Sequence, residues 1–117
     1  MKNTVLLKTK FKYNYLTNQL YRIDPNSSPG YSYQIIERFE AKFGGYGFVL
    51  GEHSWITFTV YENKIKVFAK VSQNGESIYY RKEIISIPHL AREIEFELTQ
   101  ADQVIKNERG YWIPKQF

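Results

Sequence analysis

Between residues 55 and 85 the chain changes side at almost every step. Ile56, Phe58 and Val60 alternate with Trp55, Thr57, Thr59 and Tyr61. Past Glu62-Asn63, Ile65, Val67, Ala69 and Val71 alternate with Lys64, Lys66, Phe68 and Lys70. A period of two belongs to strands with one dry and one wet face, and a helix cannot satisfy it. Gln73-Asn74-Gly75-Glu76 comes next, and Asn-Gly suits the positive φ of a type I′ hairpin. A third strand from about Ser77 to Ile85 completes a meander.

The start of the chain repeats the pattern. Val5, Leu7, Phe11 and Tyr13 are the apolar positions, with Lys8, Lys10 and Lys12 between them. Leu16-Thr17-Asn18-Gln19 reads as the turn and Leu20 to Ile23 as the return strand. Residues 24–30 are nearly all turn formers.

Two helices are expected around the meander. Ser32, Ile35, Ile36, Phe39 and Phe43 share one face at helical spacing, after a start at Ser28-Pro29 or Ser32 and before a stop at Gly44-Gly45. Near the end, Ile87, Leu90, Ala91, Ile94, Leu98, Ala101 and Ile105 form one stripe behind Pro88. Ile94, Phe96 and Leu98 also alternate with Glu93, Glu95 and Glu97, which is a strand pattern, with Thr99 and Asp102 then capping a shorter helix. The abundance of Ala, Arg, Glu, Leu and Gln favours one long helix over 88–108. The expected fold is therefore α+β: a single domain at 117 residues, mainly antiparallel, with about five strands and two helices in ββαβββα order.

Composition narrows the chemistry. Cysteine is absent, which excludes disulfides, Cys-ligated zinc, iron–sulfur clusters and thiol nucleophiles. Two histidines and two aspartates leave few parts for a metal site, so no metal and no cofactor is expected. The apolar run Val5 to Leu7 is too short for a signal core or a membrane span, so the default address is cytoplasmic with no membrane contact. Lys, Asn, Ile, Tyr and Phe are plentiful, as in AT-rich coding sequence. That profile points to a low-GC bacterium or its phages and other mobile elements.

The net charge of +4 conceals its arrangement: +5 over residues 1–23, −2 over 24–60, +3 over 61–82, −4 over 83–108 and +2 over 109–117. Lys8, Lys10 and Lys12 form one basic stripe; Lys64, Lys66 and Lys70, with Phe68 among them, form another. Lysines release counterions at phosphates, and rings stack on unpaired bases. Together with Tyr13 and Trp55 they make a candidate nucleic-acid face, which would contact nucleic acid or a nucleoprotein. Lysines on wet strand faces also serve simply to block edge pairing.

The last helix suggests a protein contact instead. It would carry Phe96 outward among Glu93, Glu95 and Glu97, as an inhibitor of a host or defence enzyme would, with Trp112 of the Tyr111-Trp112-Ile113-Pro114 tail as a further anchor. A metal-free nuclease or toxin would rest on Glu52-His53, a general base and its orienting carboxylate, yet adjacent residues in an extended segment point apart. Gly44, Gly45, Gly47 and Gly51 follow a helical pattern and precede a strand, the wrong order for a phosphate loop. The expectation is a non-catalytic binding protein.

Overall fold

The computed structural model describes residues 10–23, 33–40, 46–61, 63–85 and 92–115. Eleven strands are present among them: β1 (Lys10–Asn14), β2 (Gln19–Ile23), β3 (Tyr33–Ile35), β4 (Arg38–Glu40), β5 (Tyr46–Gly51), β6 (Ser54–Val60), β7 (Lys64–Gln73), β8 (Glu76–Ile85), β9 (Glu93–Phe96), β10 (Gln103–Lys106) and β11 (Trp112–Pro114). They form two antiparallel sheets. The smaller has the order β3-β2-β1-β9 and the larger β11-β10-β8-β7-β6-β5-β4. Their inner faces share one core, in which Phe11, Tyr13 and Leu20 of the small sheet meet Phe48, Ile56, Phe58 and Val67 of the large one.

The meander and the described part of the first hairpin are where the alternation puts them; Val5, Leu7 and the loop over 24–30 lie outside the described residues. Inward Ile65, Val67, Ala69 and Val71 are buried along β7, while Lys64, Lys66, Phe68 and Lys70 are half-buried on its other side. Asn74 and Gly75 have φ of 53° and 79°, as a primed turn requires. Between β1 and β2 the Asn14 carboxamide accepts the backbone N–H groups of Leu16 and Thr17 at 3.0 and 3.1 Å, closing the loop.

Neither expected helix is found among the described residues, and the α+β assignment is corrected to a β-sandwich of two antiparallel sheets. Ile35 and Phe39 lie on the short strands β3 and β4. Sheet membership changes between them. The Ile36 N–H donates to Leu20 O in the small sheet at 2.9 Å, and Glu37 O accepts the Val49 N–H in the large one at 2.9 Å. Phe39 covers Gly47, its cross-strand partner, so closely that a Cβ on Gly47 would collide with the tip of the ring. The proposed start over 28–32, Phe43 and the stop at 44–45 lie outside the described residues, as do Ile87, Pro88, Leu90 and Ala91 of the second stripe.

In the described part of the expected helix, over 92–108, stand β9, a 3₁₀ turn over Gln100–Asp102 and β10 instead. Pairing decides this. Tyr13 stands opposite Ile94 and Phe11 opposite Phe96. β9 thus buries Ile94 and Phe96 and exposes Glu93 and Glu95. The alternation was the correct signal and the helical stripe an accident of spacing. Thr99 and Asp102 do cap the short turn: the Asp102 carboxylate accepts the Thr99 N–H at 2.8 Å, and the Asp102 N–H reaches Thr99 O at 2.9 Å.

Candidate functional site

Outward side chains of the large sheet bring four rings together. Trp55 on β6 and Tyr79 on β8 flank Lys70 of β7 in one cross-strand row. Phe68, two residues away on β7, contacts both rings, with centroids 5.8 Å from Trp55 and 6.0 Å from Tyr79. The β10–β11 hairpin adds Trp112, at 5.2 Å from Phe68 and 4.6 Å from Tyr79. An Arg81 guanidinium N–H donates to Trp112 O at 3.1 Å and holds that hairpin to β8. All four rings are half-buried, so each packs on the sheet and still shows surface to water.

Cations frame the rings. Lys66 and Lys70 sit two positions either side of Phe68. The Lys106 ammonium lies 5.4 Å from the Trp112 ring centroid. Between Trp55 and Trp112, the outward strand positions among the described residues carry Lys64, Lys66, Lys70, Arg81 and Lys106 against one carboxylate, Glu83. That carboxylate stands 3.9 Å from Lys64 and 4.0 Å from Lys66, both partly exposed pairs. No carboxylate among the described residues forms such a pair with Lys70. The Tyr61 ring centroid is 5.4 Å from both the Lys64 and the Lys66 ammonium groups.

The two lysine stripes do not meet. Lys10 and Lys12 belong to the small sheet, where they face Glu95 at 3.9 Å and Glu93 at 3.8 Å. Lys8 lies outside the described residues. Tyr13, expected as a stacking residue, is buried between the sheets, with its hydroxyl donating to Asn18 Oδ1 at 2.9 Å. Phe96, expected as an exposed contact, is 6% exposed and stacks on Phe11 at 5.4 Å. Glu93 pairs with Lys12 and Glu97 is exposed, but the acidic helix that would have presented them with Phe96 is absent.

Sequence reasoning missed Tyr79. Its signal was present, since Tyr79 and Arg81 alternate with inward Ile78 and Tyr80, but only the register opposite Lys70 and Phe68 shows where it points. Trp112 was singled out as a protein anchor; the hairpin places it beside Phe68.

Two other places hold chemistry-bearing groups. Glu52 and His53 form the tight turn between β5 and β6, where His53 adopts φ 56°. The turn brings Nε2 of His53 within 3.6 Å of Glu52 Oε1, closer than an extended segment allows, with the side chains 74% and 90% exposed. A groove of about 500 Å³ opens between β9 and β8, with Lys10, Lys82, Glu83, Glu95 and Glu97 among its lining residues. Its charges are of both signs, and Lys82 is engaged by Asp102 at 3.5 Å. Among the described residues, no three His, Asp or Glu side chains gather as metal ligands, and no helix is long and apolar enough to cross a membrane. Comparison of the chain with protein-family models, curated proteins and solved structures finds no match.

Proposed function

We propose that this is a non-catalytic binding protein that contacts nucleic acid through the outer face of its large sheet. The observation that carries the reading is the Trp55–Phe68–Tyr79–Trp112 cluster framed by Lys66, Lys70, Arg81 and Lys106. Rings held by a sheet offer flat apolar surfaces to bases, and ammonium groups one strand position away meet the phosphates that accompany them. The small sheet is left out of it: its described lysines, Lys10 and Lys12, face Glu95 and Glu93 on β9, which offset their charge.

The test is fluorescence anisotropy with labelled oligonucleotides at several salt concentrations. Affinity should fall steeply with salt, since each neutralised phosphate contributes a log–log slope of about −0.7 on a single strand and about −0.9 on duplex DNA. The pair of substitutions Lys70→Glu and Lys106→Glu should lower both affinity and slope. Absence of binding to single- and double-stranded DNA and RNA at low salt would end the reading.

A further inference from the structure

We infer that the face takes unpaired bases, and so binds single-stranded DNA or RNA in preference to a duplex. This rests on the nucleic-acid reading above and deepens it. In a duplex every base face except the terminal ones is already stacked, and only base edges are left in the grooves. Edges are read by carboxamides and guanidinium forks, whereas this cluster consists of ring surfaces. Its one guanidinium, Arg81, is turned to the Trp112 carbonyl.

The dimensions agree with a short single-stranded segment. From Trp55 through Phe68 to Trp112 the centroids step 5.8 and 5.2 Å, a run that suits about two or three bases on a sheet surface. Lys70 lies within this run, between Trp55 and Tyr79, and Lys106 lies at its Trp112 end. Phosphates of a strand crossing the β-strands would thus meet an ammonium group at the middle and at one end. Phe68 touches the other three rings and is the centre of the site.

Both tryptophans of the chain belong to this cluster, so intrinsic fluorescence reports occupancy directly. The full chain is titrated with oligo-dT, oligo-U and a blunt DNA hairpin of equal nucleotide number at low salt. Either single strand should quench the tryptophans and bind about tenfold or more tightly than the hairpin; the dT and U arms tell DNA from RNA. Phe68→Leu and Tyr79→Leu should each weaken single-strand binding about fivefold or more with the salt slope unchanged. Circular dichroism checks the fold of each variant, and either variant suffices if the other does not fold. Equal or tighter hairpin binding, or single-strand affinity unmoved in a folded variant, overturns this inference and leaves the nucleic-acid reading standing. No binding to any of the three removes both.

Discussion

Tyr13 and Phe58 lie ring on ring, one from each sheet, with centroids 3.8 Å apart and planes within 4° of parallel. Phe48 and Phe96 meet the Phe58 ring edge-on, each at 5.7 Å. A direct stack alone opposes like quadrupoles, and edge-on neighbours offset that by directing positive edges at the negative faces. The four rings therefore act as one packed unit joining the sheets. Tyr13→Ala should cost about 3–5 kcal/mol, as large-to-small core changes do. Tyr13→Phe removes only the hydroxyl bond to Asn18 and should cost about 0.5–1.5 kcal/mol. Urea denaturation of the two variants distinguishes these magnitudes.

The same burial makes stability depend on alkaline pH. Desolvation raises the Tyr13 phenol above its ordinary 10.0, with Arg38 opposing the shift. Tyr80 is raised chiefly by desolvation too, with the Gln103 hydrogen bond lowering it and Asp102 adding to the rise. A pKa raised on folding means that the folded state holds its proton longer than the unfolded chain does. The stabilisation is therefore whole below pH 10 and lost as pH rises through the folded values. Chemical denaturation across this range should show a fall beginning above pH 10, shallower in Tyr13→Phe. Tyrosine absorbance should show these two phenols ionising above the ordinary phenol value of 10.0.

Phe96 distinguishes a sandwich from a helix with an exposed ring. At a surface, Phe96→Ala would change stability by no more than about 0.5 kcal/mol. Removed from beneath Phe11 and Phe58 it should cost about 3–5 kcal/mol, a large part of what a domain of this size possesses. Thermal denaturation followed by circular dichroism separates the two outcomes.

Two glycines should fail for different reasons when changed to alanine. Gly75 has open space around it, so Gly75→Ala meets only the left-handed backbone penalty of about 1–2 kcal/mol. At Gly47 the added methyl collides with the Phe39 ring and must push it aside. Gly47→Ala should therefore loosen β4 from β5, read as faster amide exchange at Val49, whose N–H is held by Glu37 O.

Among the described residues, Glu83 is the carboxylate that pairs with Lys64 and Lys66 and draws them away from an incoming anion. Glu83→Gln should tighten nucleic-acid binding a few-fold at low salt and steepen its salt dependence. Stability should move by only about 0.5 kcal/mol, because the pairs are exposed. Glu93→Gln makes the same charge change on the small sheet and should leave affinity where it was. Anisotropy titrations of both variants localise the binding face.

The strands that were legible in the sequence are those whose evidence is local. β1, β6, β7 and β8 each carry their own alternation, β2 follows from the turn after β1, and Asn74-Gly75 carries its own turn. β9 is different. Glu93 to Leu98 satisfies the strand period, while Ile87, Leu90, Ile94 and Leu98 also satisfy a helical one, and helix propensity favoured the wrong choice. What decides is pairing with Phe11 and Tyr13, about 80 residues away in the chain, which no local window contains. The candidate face divides in the same way. Trp55, Phe68, Lys66 and Lys70 were visible from alternation. That Tyr79 and Trp112 join them, and that Lys10 and Lys12 do not, depends on register and sheet membership. A count of lysines could not tell a basic face from a lysine placed opposite a glutamate.

The partnership of β1 with β9 also bears on how the molecule comes into being. The first hairpin is made about 80 residues before β9, the strand that completes its sheet. Long-range antiparallel pairing of this kind raises contact order and slows folding, because a long loop must close before any contact rewards it. Until β9 arrives, one edge of β1 stays unpaired and Phe11 lacks the Phe96 ring that stacks on it, which leaves the nascent chain more exposed to aggregation in that interval.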